Sequence, residues 1–171
     1  MLRLYILRHA KSSWALPGRS DFDRGLNDRG TRDLPKIARA LDQHGYHPDH
    51  IYCSSAQRTR LTADGIVAAA KNLSPSIDYL DNLYSGSLDN YLNALRDHPN
   101  HQQSLMIVGH NPTCDALADF LIKDGNAKAI KTIAYKFPTG ALAVFDMPAE
   151  KWGELLGDTG YLVDFLLPRD L

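Results

Sequence analysis

A chain of 171 residues with 19 Lys+Arg against 20 Asp+Glu carries a formal charge of -1, which excludes the broad basic footprint of a nucleic-acid or anionic-lipid binder. Any anion site must be local. Its 44% hydrophobic and 23% charged residues suit one globular domain over residues 1–171, large enough to bury roughly 70% of its unfolded surface without disulfides or metal. Two cysteines, Cys53 and Cys114, are too few for a disulfide framework and predict free thiols in a reducing cytoplasm. Arg3 and Arg8 interrupt the opening segment before it reaches the apolar length of a secretory signal, and no stretch is long enough to span a membrane. The oligomeric state is left open, with a monomer favoured.

The first apolar run, LRLYIL (Leu2 to Leu7), reads as a buried parallel strand that hands over to Arg8 and His9. A helix is expected from Asn27 to His44. Leu34, Ile37, Ala38 and Leu41 share one face, Asn27 supplies a cap, Gly45 a stop, and Pro35 predicts a kink or a delayed start. HIYCSS (His50 to Ser55) reads as a weaker strand, followed by a helix over Ala56 to Lys71 and another over Ser87 to Arg96. SLMIVG (Ser104 to Gly109) repeats the buried-strand pattern and leads through His110 into a helix over Pro112 to Ile122, with Pro112 suited to the first turn. Late strands are expected at Ala141 to Phe145 and Tyr161 to Leu166. Strands alternating with helices, without repeat or linker, predict a three-layer α/β/α sandwich around a mostly parallel central sheet.

That layout puts Arg8 and His9 at the end of the first strand, His110 at the end of the SLMIVG strand, and Arg58 and Arg60 near the start of the helix after the HIYCSS strand. In open α/β sheets ligands bind at these carboxyl ends. A helix start favours an anion, and guanidinium donates in a planar fork that matches phosphate oxygens. Phosphate is the natural guest of such a rim.

Four motifs in order, LRHA, RGLNDRG, SSAQRTRLTA and VGHNP, resemble the histidine phosphatase superfamily, and within it the small SixA-type phosphohistidine phosphatases with their phosphoglycerate mutase-like fold. The resemblance implies His9 as nucleophile, Arg8 and Arg58 as a phosphate clamp, His110 as the second catalytic histidine and Arg24 as a further pocket arginine. Ala10 stands where many members have glycine, a small-for-small change. No metal or other cofactor is implied. Family members acting on ordinary phosphate esters supply a carboxylic acid after the second histidine or in a central loop. Here Asn111 follows His110, and Asp81 in YLDNLYSGS is the candidate proton donor, with an exposed turn residue as its plainer reading.

The side chains support that chemistry. Attack by a neutral His9 imidazole on phosphorus splits the transfer into two easier steps, and positive charge from the arginines stabilises the phosphoryl group in flight. Those arginines should also lower the His9 pKa and keep it nucleophilic. The expected function is hydrolysis of phosphohistidine on a partner protein. Alternatives are a phosphatase of small phosphate monoesters on the same scaffold and a catalytically silent phospho-ligand module.

Several residues carry plainer readings. Arg24 sits among acidic residues that could simply pair with it. Arg60, two positions beyond Arg58, cannot share its helical face. Cys53 and Arg58 resemble a tyrosine-phosphatase loop, but four residues separate them where five are needed, so Cys53 reads as a buried thiol. His44, His47 and His50 in HGYHPDH have metal-like spacing, but Gly45 and Pro48 break the helix that spacing would need.

Overall fold

In the computed structural model, which describes residues 1–14, 16–99 and 101–171, the apolar runs assemble into one seven-stranded sheet. Its strands are β1 (Leu2–Arg8), β2 (His50–Ser54), β3 (Ser76–Leu80), β4 (Ser104–Gly109), β5 (Ile122–Gly125), β6 (Leu142–Met147) and β7 (Gly160–Leu166), in the order β3-β2-β4-β1-β6-β7-β5. Only β6 runs against its neighbours. The helices are α1 (Asp28–His44), α2 (Gln57–Ala69), α3 (Leu88–Arg96), α4 (Thr113–Leu121) and α5 (Ala127–Ile133).

Alternation along the strands makes the three layers. Leu4 and Ile6 of β1 join Leu105 and Ile107 of β4 beneath α3, α4 and α5, while Tyr5, Leu7, Met106 and Val108 face α1 and α2. Leu4, Ile6, Leu7 and Ile107 have no exposure, and burying each contributes roughly 1.5–3 kcal/mol. Among the described residues, no helix is long and apolar enough to cross a membrane.

The helix ends follow local chemistry. Asn27 caps α1 by accepting from the Gly30 amide at 2.9 Å, and Gly45 ends it at φ 67°. The start is not delayed by Pro35, contrary to the expectation. Pro35 and Thr31 both lie on the exposed side of the helix. Pro112 caps α4 rather than opening its first turn. The short elements β3, β5 and α5 are additions to the expected list.

Candidate active site

Register brings the separated motifs together. β1 and β4 pair Arg8 with Gly109, and β2 pairs Cys53 with Val108, so His9 and His110 emerge side by side just beyond Arg8, Gly109 and Ser54. The His9 amide donates to the Gly109 carbonyl at 3.0 Å, and the two imidazole centroids are 5.3 Å apart. The His110 amide donates to the Tyr91 hydroxyl at 3.0 Å, which lies where a Cβ on residue 109 would be. Gly109 therefore lets Tyr91 reach and fix the second histidine.

His9 is 6% exposed. Its Nδ1 lies 2.7 Å from the Ala10 carbonyl, which can only accept, so Nδ1 carries the ring proton and Nε2 keeps a lone pair. Burial pushes the His9 pKa down to about 3, reinforced by His110, Arg58 and Arg8, against the opposing bond to Ala10. Burial likewise lowers His110 to about 4, with Arg58 the next cause. Both rings are neutral at pH 7. The Ala10 amide donates to Thr62, and Thr62 donates to the Arg58 carbonyl, so the loop after His9 is tied to the helix that carries Arg58.

Arg8 Nη1 donates to the Phe137 carbonyl at 2.9 Å, and the terminal nitrogens of Arg58 donate to Asp21. In both arginines Nε is buried and has no protein acceptor. Among the described residues six buried side-chain polar atoms lack a hydrogen bond, and four belong to Arg8, Arg58, His110 and Asn111. Orphaned polar groups cost free energy, so their concentration around one pair of histidines marks a place built to meet a polar ligand.

The remaining candidates fall apart from this centre or at its edge. Arg24 does pair with its acidic neighbour, donating to Asp21 at 2.9 Å, and also reaches the Ser13 carbonyl at 2.9 Å, while its charge is felt at His110. Asp81 is exposed, accepts from Ser55 at 2.5 Å and lines a separate hollow with Phe22 and Arg60. Arg60 donates to the Ser55 carbonyl at 3.0 Å, with its guanidinium 4.2 Å over the Tyr79 ring. Cys53 is buried, and burial pushes its thiol pKa up, so it is a poor thiolate. His44, His47 and His50 do not converge: His44 lies 3.7 Å from Asp164, whereas His50 bonds Ser76 at 2.6 Å.

Sequence reasoning passed over Ser54, Tyr84 and Tyr91, noted Asn111 only as the absence of an acid after His110, and treated Asp21 only as one charge among several. Ser54 Oγ lies 2.7 Å from His110 Nε2, and the Tyr84 ring meets His110 edge-on at 5.8 Å. The acid-rich run around Arg24 was the one available signal for Asp21.

The sequence profile of the histidine phosphatase superfamily (branch 1) matches residues 4–91, the stretch holding LRHA, RGLNDRG and SSAQRTRLTA. The chain belongs to the histidine phosphatase superfamily. An uncharacterized protein of Mycobacterium leprae is 32% identical over 169 residues, covering 95% of this chain and all of that one. A crystal structure from Agrobacterium tumefaciens, provisionally described as the phosphohistidine phosphatase SixA, is 35% identical with a TM-score of 0.79, covering 98% of each chain. Phosphoserine phosphatase 1 of Hydrogenobacter thermophilus is 41% identical over 75 residues, 43% of this chain and 34% of that one. The fold is phosphoglycerate mutase-like, and these relatives support a phosphatase.

Proposed function

We propose that the chain hydrolyses phosphohistidine on a partner protein through a phosphorylated His9. The observation that carries this reading is the Nδ1 bond to Ala10, which leaves His9 Nε2 as a buried, neutral nucleophile beside two guanidinium groups. Nε2 attacks phosphorus while the bond to the leaving group breaks. The leaving imidazole takes its proton from water. Water then attacks the phosphorylated His9 and releases inorganic phosphate, restoring the ring.

Arg8 and Arg58 offer their unpartnered Nε–H groups to the phosphoryl oxygens, which supplies the charge that a metal would otherwise bring. Ser54 Oγ accepts from the Ala56 amide at 3.4 Å and directs its own proton to His110 Nε2. His110 then carries its ring proton on Nδ1, a donor for the same phosphoryl group.

Substrate class follows from the available acid. Asn111 succeeds His110, and Asp81 is turned to Ser55. A P–N bond to imidazole, protonated on its far nitrogen by solvent, depends on a protein acid less than an ester does. The Agrobacterium relative's description points the same way. The partial match to a phosphoserine phosphatase favours a second reading, hydrolysis of small phosphate monoesters.

The deciding experiment measures kcat/KM for a phosphohistidine-bearing protein beside phosphoserine, sugar phosphates and para-nitrophenyl phosphate. The protein substrate is expected to exceed every ester, with Asp81→Asn nearly silent on it. A preferred small ester whose turnover Asp81→Asn abolishes would hand the case to the second reading.

A further inference from the structure

Asp21, exposed on the loop between His9 and Arg24, is engaged through both carboxylate oxygens and its backbone carbonyl. Its Oδ1 accepts from Arg24 Nε at 2.9 Å, and its Oδ2 accepts from Arg58 Nη2 at 3.2 Å and from the Tyr84 hydroxyl at 2.7 Å. Its backbone carbonyl accepts from Arg58 Nη1 at 2.8 Å. One residue thus takes both terminal nitrogens of Arg58, whose side chain is 7% exposed. The Nε edge of that guanidinium, buried and without a protein acceptor, is what remains. A rigid planar fork held at its terminal pair has its free edge aimed by the holder.

We propose that Asp21 is a positioning residue, which holds Arg58 and Arg24 as an oriented pair so that their remaining N–H groups meet the phosphoryl oxygens. The proposal rests on the phosphate-site reading above. Arg24 has a second support in Ser12 and Ser13, whereas among the described residues the side-chain hydrogen bonds of Arg58 all end on Asp21, so Arg58 is the arginine that depends on it.

Two other roles for Asp21 fit less well. The Tyr84 hydroxyl, ahead of Arg58 and Arg24, holds its carboxyl below the usual carboxylate range, so it has no proton to give a leaving group. An anion that merely competed with substrate would hold the Nε edge, and Asp21 leaves that edge alone.

The test is tungstate binding by calorimetry together with para-nitrophenyl phosphate kinetics on the full chain. Asp21→Asn keeps the shape and removes the charge. It is expected to weaken tungstate about tenfold, the low end of what losing a group that orients ligand-binding side chains costs. KM should rise and kcat fall, with Tm within a few degrees of the parent. Asp21→Glu, which restores the carboxylate, should recover part of the affinity. In an Arg58→Ala background the same Asp21→Asn change should cost less than about twofold, because its effect passes through Arg58. Unchanged or tighter tungstate binding by Asp21→Asn overturns the proposal, the tighter result pointing to a competing anion. A full tenfold loss in the Arg58→Ala background overturns it too. If the parent protein binds no tungstate, the phosphate-site reading falls and takes this one with it.

Discussion

Two pairs of buried histidines lie at opposite ends of the parallel strands, and only one has the makings of an active site. His9 and His110 follow β1 and β4, while His50 opens β2 and His98 precedes β4. The ring centroids are 5.3 Å apart in the first pair and 5.2 Å in the second, and all four residues are 3–8% exposed. Burial and spacing therefore do not distinguish them. Their surroundings do. The first pair stands beside Arg8 and Arg58, whose Nε donors have no protein acceptor. The second packs among hydroxyl and carboxylate groups: Tyr52 bonds His98 Nδ1 at 2.7 Å, Ser76 bonds His50 Nδ1 at 2.6 Å, and Asp78 lies 3.2 Å from His50 Nε2, close but poorly aligned for a hydrogen bond. Both pairs keep unpartnered ring nitrogens, Nδ1 of His110 in the first and Nε2 of His50 and His98 in the second, so what sets the first pair apart is the two guanidinium groups beside it, where the second has hydroxyls and a carboxylate.

The largest effect expected is at His9. His9→Ala should lose activity by on the order of 10⁴-fold or more while keeping its fold, and brief exposure of the parent enzyme to substrate should trap an acid-labile phosphate on His9. His98→Ala is the matching change in the second pair. It should leave kcat/KM within about twofold and cost stability instead, about 1–3 kcal/mol, through the unpaired Tyr52 hydroxyl. Activity lost in His98→Ala but kept in His9→Ala would reverse the comparison.

Next come the clamp arginines. Arg8→Ala and Arg58→Ala should each lower kcat/KM by about 10²- to 10³-fold and weaken vanadate inhibition, since each removes a charged donor from the transition state. Chelators should leave activity unchanged because guanidinium groups supply the charge.

Acid should separate the first pair from ordinary surface histidines. His9 and His110 have folded pKa values pushed to about 3 and about 4 from a reference of 6.5. Between pH 6.5 and about 4 the unfolded chain binds protons that the folded chain refuses, so stability is complete above that window and falls with falling pH. Each group contributes up to about 1.4 kcal/mol per pH unit. Urea melts across this range should show the slope, and the His9→Asn/His110→Asn double variant should flatten it. The smallest effect belongs to Arg60→Ala, which should shift kcat/KM by less than about twofold because its guanidinium is spent on Tyr79 and Ser55.

How much of this was legible in the sequence depended on how long and how apolar each signal was. LRLYIL and SLMIVG announced β1 and β4 because both strands are buried on both faces, and Asn27 with Gly45 bounded α1 almost to the residue. The strand SIDYL was missed because β3 sits at a sheet edge with alternate residues exposed, and β5 is a four-residue polar strand, IKDG. The seven residues of α5 are too few to display a helical period. Pro35 does not delay the helix, because the Asn27 cap upstream of it fixes the start at Asp28.

The sequence by itself determined the strand ends and the polar side chains placed on them: Arg8 and His9, Arg58, and His110, each within one or two residues of an apolar run or a helix start. Those are local facts, written in periodicity and adjacency. Only the tertiary structure decided which charges remain free. Register set His9 beside His110, the Ala10 carbonyl chose the His9 tautomer, and Asp21 took the terminal nitrogens of Arg58 while its buried Nε was left without a protein acceptor. Asp81 stayed with Ser55 for the same kind of reason. Hydrogen-bond partners distant in sequence depend on how loops close over the sheet, and no local pattern encodes that closure.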